Sequence, residues 1–236
     1  MLRKAGNRKA YCQFEGNSSV GTENTNGGGA IYAWSASVVT ITDSKFVGNN
    51  AAYDGGAIYN NNGKLTLTGT SNKALFQDNT AANWGGAVYT TGGTLTADGY
   101  TFAENKGKFG GAILMYTASN ISNSTFRGNE ATTNEGGAIY VNQSASFLDC
   151  SFEGNLSKGN GGAILINASG KTITLTGSDK TKAMFTGNKA NNGAGLGGAI
   201  YLNAGTLTGS GYEFTNNSPD NISRRNHTSA VNNYKE

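Results

Sequence analysis

The chain has 236 residues, with 36 Gly, 10 Phe, 11 Tyr, a single Pro and only 14% charged residues. Its net charge of +3 comes mostly from the ends, Arg3, Lys4, Arg8 and Lys9 at one and Arg224, Arg225 and Lys235 at the other. No basic stripe therefore runs along the body, which argues against nucleic-acid binding, and no apolar run approaches membrane-spanning length.

Taken in chain order, residues 1–10 form a basic lead-in. No apolar stretch follows them, so no signal peptide is expected. The tetrapeptide Phe14–Asn17 is the first of eight Phe-x-x-Asn motifs; the others begin at Phe46, Phe76, Phe102, Phe126, Phe152, Phe185 and Phe214, 24–33 residues apart. Seven copies of Gly-Gly-Ala-Ile or Gly-Gly-Ala-Val alternate with them, beginning at Gly28, Gly55, Gly85, Gly110, Gly136, Gly161 and Gly197. A repeat of this length marks a stacked array. Behind each GGA lies a polar turn and then an alternating segment such as Val38–Asp43, Lys64–Gly69 or Thr172–Gly177. Alternation with period two marks a strand with one buried face. Three short strands per unit, joined by Gly and Asn turns, describe one coil of a parallel β-helix. Propeller blades need about 40 or more residues each and fit poorly. The expected fold is all-β, a right-handed single-stranded parallel β-helix of about eight coils over residues 11–222, followed by a polar tail at 223–236. Handedness follows from the general preference for right-handed crossovers.

Aligned coils sort the columns. Ile31, Ile58, Val88, Ile113, Ile139, Ile164 and Ile200 face inward. So do Ala33, Asn60, Thr90, Met115, Val141, Ile166 and Leu202, two residues on. The column between them, Tyr32, Tyr59, Tyr89, Leu114, Tyr140, Leu165 and Tyr201, is expected to point outward. In the alternating segments Leu65, Leu67, Ile173 and Leu175 go in and the threonines face water. A slip of one residue would reverse this. The glycine pair allows a sharp corner. The phenylalanines are expected to stack inside, and the asparagines to form a ladder in which each amide donates to and accepts from the next. Cys12 and Cys150 share one column five coils apart, too far for a disulfide, and are expected to be separate, largely buried thiols. In the final unit Ile222 is expected to hold the inward position where another GGAIY is due.

Tandem GGA[ILV] alternating with Phe-x-x-Asn over residues 14–217 resembles the passenger domains of the chlamydial polymorphic membrane protein family and related bacterial β-helix repeat proteins. The resemblance implies a pectin-lyase-like solenoid, secreted by an autotransporter route, displayed on the bacterial surface and acting as an adhesin. Its partner would be a protein or glycan of a host or neighbouring cell, with no nucleic acid and no membrane insertion of this segment. No autotransporter barrel follows the repeats, so the chain is expected to be a segment of a longer surface protein or a degenerate copy.

The rival reading is a carbohydrate-active β-helix, a polysaccharide lyase or glycoside hydrolase, or a sugar-binding module. Glycoside hydrolysis needs two neighbouring carboxylates. Asp78 and Glu104 occupy equivalent positions in adjacent coils, but glycine fills most of that column, so they read as solvated turn carboxylates. Arg127 beside them is read as isolated. His227, the only histidine, falls in the polar tail and reads as solvated. No catalytic, cofactor-binding or metal-ligating residue is assigned, and no cofactor is expected. Three surface candidates remain. They are the Tyr column with Trp34, Trp84 and Tyr116, read first as mutual stacking; the threonine rows, which break at Asn120–Ser124; and the insertions Gly69–Leu75, Gly177–Met184 and Asn191–Leu196. The Asn-x-Ser/Thr sites at Asn123 and Asn226 are read as chance.

Overall fold

The computed structural model describes residues 11–21, 27–70, 73–178, 183–191, 196–225 and 230–232, the last three by backbone alone. Each repeat makes four strands rather than three, because the residues just after Phe-x-x-Asn pair on their own. In the second coil the strands are Lys45–Val47, Asn50–Ala51, Ile58–Asn61 and Lys64–Thr68. Equivalent strands stack into an eight-stranded sheet of Phe strands and a seven-stranded sheet of two-residue strands. A fourteen-stranded sheet takes both the GGA strands and the alternating ones. Pairing is parallel and in register, Phe46 on Phe14, Ile58 on Ile31, Leu65 on Val39. The chain is thus an all-β parallel solenoid, with no helix among the described residues.

The count is slightly smaller than the eight expected. The eight Phe rungs meet only seven two-residue strands, so the last turn is incomplete. It closes with Ile222–Arg224 and Ala230–Asn232, which pair with Ile200–Leu202 and Thr206–Thr208. Ile222 sits on Ile200, in the inward position expected of it.

The two glycines of each pair are required for different reasons. At Gly55 the backbone has φ of +61°, where a side chain is strained. At Gly56 a Cβ would stand 2.0 Å from the carbonyl oxygen of Gly86 in the next coil. One glycine answers to its own conformation, the other to its neighbour's approach. Behind them the amides of Ala57 and Ile58 both donate to the Ala87 carbonyl at 2.9 Å, so the corner locks coil to coil.

The interior repeats most strictly along the Phe and Asn columns. Eight Phe rings stack with centroids 4.5–5.0 Å apart and planes within 3–9° of parallel. The asparagine ladder beside them is continuous. At Asn79, Nδ2 donates to Asn105 Oδ1 (2.9 Å) and to the Phe46 carbonyl (3.0 Å), while Oδ1 accepts from the Asn49 backbone and side-chain amides (3.0 and 2.9 Å). Every donor and acceptor of the amide is used, which allows Asn79 to be wholly buried.

Three expectations need correction. The outward tyrosines are not exposed: Tyr59, Tyr89, Leu114, Tyr140, Leu165 and Tyr201 form a second buried cluster outside the main core. Side chains preceding the glycine pair fold over them, Trp84 edge-on to Tyr89 and Phe109 edge-on to Tyr140. Cys12 is exposed, because it enters the first described coil and has a stacked neighbour on one side only; Cys150 is buried, and both thiols are free. Arg127 is not isolated but meets Glu104 at 3.3 Å.

Candidate functional site

The carboxylate pair weighed as catalytic does not enclose a site. Asp78 and Glu104 are exposed, each on a positive-φ turn of 54° and 58°, and Glu104 is engaged by Arg127. Asn123 is likewise an exposed turn residue, donating to Asp98 Oδ1 at 2.8 Å. His227 and Asn226 lie outside the described residues, as do positions 71–72, 179–182 and 192–195 of the three insertions.

The outer face of the GGA strands is where the aromatic candidates converge. Two columns line it. The first is the tyrosine column; Tyr32, at 37% exposure, is its uncovered end. The second, two residues on, is Trp34, Asn61, Thr91, Tyr116, Asn142, Asn167, Asn203 and Arg225. Sequence reasoning set Trp34 and Tyr116 beside the tyrosines but did not read them as ends of one column, although the same period-two argument that set the tyrosines outward places it on the same face. In the first four coils the rings touch in series: Trp34–Tyr32 at 5.8 Å, Tyr32–Tyr59 at 5.0 Å, Tyr59–Tyr89 at 4.9 Å, Tyr89–Trp84 at 5.3 Å and Trp84–Tyr116 at 6.1 Å. Between Trp34 and Tyr116, Thr91 Oγ1 donates to Asn61 Oδ1 (3.0 Å) and Asn61 Nδ2 donates to the Tyr32 hydroxyl (3.4 Å). Mutual stacking, the plainer reading of the tyrosines, holds from Tyr32 to Tyr89 and is broken at Leu114.

Beside the rings lies Asp54, 1% exposed, whose Oδ1 accepts from the Trp84 amide at 3.2 Å. Burial lifts its carboxyl to about 7, against the opposing effect of that hydrogen bond. Burial also pushes the hydroxyls of Tyr59, Tyr89 and Tyr140 upward, so these rings stay neutral.

A longer repeat underlies the short one. Asp43 accepts from Thr70 N and Oγ1 (2.6 and 2.5 Å); Asp149, 106 residues on, accepts from Ser178 N and Oγ in the same way (2.6 and 2.5 Å). The Tyr100 hydroxyl reaches back two coils, past Ala74, to the Ser44 amide (3.3 Å). That of Tyr212 reaches past Ala183 to the Cys150 amide (3.1 Å). The scaffold therefore recurs every four coils. Its sequence trace, GTLTADGYTF at Gly93–Phe102 against GTLTGSGYEF at Gly205–Phe214, is hidden by the stronger one-coil period.

Among known proteins, a family model described as a right-handed β-helix region matches residues 2–179. No curated protein and no solved structure matches the chain.

Proposed function

The chain belongs to the right-handed β-helix family, and from that premise we propose that it is a non-enzymatic, surface-exposed segment of a bacterial secreted or outer-membrane protein, serving adhesion or structural display. The observation that carries this reading is the outer face of the GGA strands. There a rigid stack of coils, locked by the Asn ladder and the Phe column, presents aromatic rings and amides in fixed register. Solenoids use such extended faces to bind. The tandem GGA and Phe-x-x-Asn motifs add the likeness to chlamydial polymorphic membrane protein passengers, and with it the proposed bacterial surface location and a host-cell or neighbouring-cell partner. Fold alone does not decide between adhesin and enzyme.

The test is to coat beads with the purified chain and measure their retention on cultured epithelial cells and on bacterial cells, beside an assay for new reducing ends or unsaturated products from a panel of polysaccharides. Retention without turnover is the expected result. Turnover of any polysaccharide would replace the adhesin with the carbohydrate-active enzyme.

A further inference from the structure

We propose that the outer face of the first four coils is a binding site for a neutral oligosaccharide, whose ring faces stack on Trp34 and Tyr116 and whose hydroxyls bond to Asn61 and Thr91 between them. This deepens the recognition reading of the same face and rests on it.

The first argument is exposure. Trp34 is 55% exposed and Tyr116 37%, and neither belongs to the buried clusters. Rings left in water at this cost, on a sheet face with fixed register, mark a contact surface. The second argument is the four-coil repeat, which supplies an internal control. The positions equivalent to Trp34, Asn61, Thr91 and Tyr116 are Asn142, Asn167, Asn203 and Arg225. There Asn203 Nδ2 donates to Asn167 Oδ1 (2.8 Å), and Asn167 Nδ2 to the Tyr140 hydroxyl (2.9 Å), as Asn61 does to Tyr32. The strip's hydrogen bonds are thus satisfied without aromatic rings at either end, and the rings of the first half, though they touch Tyr32 and Trp84, keep much of their surface in water.

The chemistry of the strip selects the ligand. Trp34 and Tyr116 stand three coils apart, about 14 Å at the strand spacing, which spans a short oligosaccharide rather than one ring. An amide offers two donors and two lone pairs. Asn61 spends one of each on its printed partners Tyr32 and Thr91, which leaves one donor and one lone pair for hydroxyl groups. The four residues of the strip include neither a carboxylate nor a basic side chain, so an anionic chain finds no cation in it, in contrast to Arg225 at the end of the second strip. A pyranose has an apolar face for the rings and an edge of hydroxyls for the amide.

Both tryptophans of the chain lie at the strip, Trp34 within it and Trp84 against Tyr116, so selectively excited tryptophan fluorescence reports on it. The full chain is titrated with cello-, malto-, laminari- and chito-tetraose and with oligogalacturonate, and affinities of variants are measured by calorimetry. The expected result is saturable binding of at least one neutral tetraose, weakened about tenfold or more in Trp34→Ala and in Tyr116→Ala, with unchanged thermal melting, and unaltered in Leu148→Ala, an exposed apolar residue of an alternating strand. Should a truncation melt early, Trp34→Tyr, which keeps a ring, is expected to restore both melting and binding. Absence of binding by every neutral tetraose, tighter binding of oligogalacturonate, or full affinity in both alanine variants would overturn the site. Bead retention separates this from the broader reading: cells held equally by Trp34→Ala beads sink the oligosaccharide site and leave display standing.

Discussion

The first and second halves of the solenoid, related by a shift of four coils, share their pinning contacts and differ most on one outer strip. Inside, Asp43 and Asp149 pin the same turn, and Tyr100 and Tyr212 reach across the same two coils. Outside, Trp34, Asn61, Thr91 and Tyr116 face Asn142, Asn167, Asn203 and Arg225 across the repeat. An inward residue must fit the coil above and the coil below, so its identity is fixed twice. An outward residue answers only to water or to a ligand. The loss of both rings from the outer strip therefore points to recognition, and the shared pinning contacts to stability.

The largest effect should be the one the halves share. Phe102→Ala and Phe185→Ala each remove a fully buried ring stacked on both sides, one in each half. Both are expected to cost about 3–5 kcal/mol in denaturant unfolding. A cost under about 1 kcal/mol in either half would break the equivalence. Next come Asp43→Ala and Asp149→Ala, each of which strips the acceptors from a backbone amide and a hydroxyl; losses of about 1–3 kcal/mol, similar in the two, are expected from thermal melting.

A smaller effect of opposite sign tests an internal difference. Asn60 and Thr90 face inward, and Asn60 Oδ1 and Thr90 Oγ1 are buried without a partner. Their four-coil equivalents are Ile166 and Leu202, both fully buried. Thr90→Val keeps the shape and removes the orphan hydroxyl, and is expected to raise stability by about 1 kcal/mol. Destabilisation of that size would show that the hydroxyl has a role the strand register does not reveal.

The last comparison depends on pH. Asp54 has Asn160 as its equivalent, and Asn160 Oδ1 accepts from Leu196 N (3.1 Å) as Asp54 Oδ1 does from Trp84 N. The Asp54 carboxyl is raised to about 7 in the fold and lies near 4 in the unfolded chain. Between those values the folded state holds the extra proton. The contribution of Asp54 to stability is therefore full at low pH, falls as pH rises through this window, and levels off above about 7. Asp54→Asn should flatten that part of the profile in thermal melts from pH 4 to 8. An unchanged slope would place the carboxylate in a better solvated setting than its burial indicates.

The sequence made the coil legible wherever a column had to repeat. Phe-x-x-Asn yielded the ring stack and the amide ladder, and period-two alternation placed Leu65 and Leu67 inside correctly. It did not reveal that Tyr59 and Tyr89 are covered. The cover comes from the residue before each glycine pair, whose letters change from Asp54 to Trp84 to Phe109 to Glu135. A covering side chain packs on whatever lies beneath and needs no copy of itself in the next coil. The second glycine of each pair was also opaque, because its cause, the Gly86 carbonyl against Gly56, belongs to another coil. Cys12 was assigned by its column, and a column carries no information about where the stack ends.

The most direct test of the account gives the two ring positions of the first strip the letters of the second. In Trp34→Asn/Tyr116→Arg the interior is untouched, and only the outer identities are exchanged. The account predicts that the double variant keeps the wild-type unfolding midpoint and loses its retention on cells and its binding of neutral tetraoses. Full retention together with full oligosaccharide binding would contradict it, and would return the outer strip to the status of solvated surface.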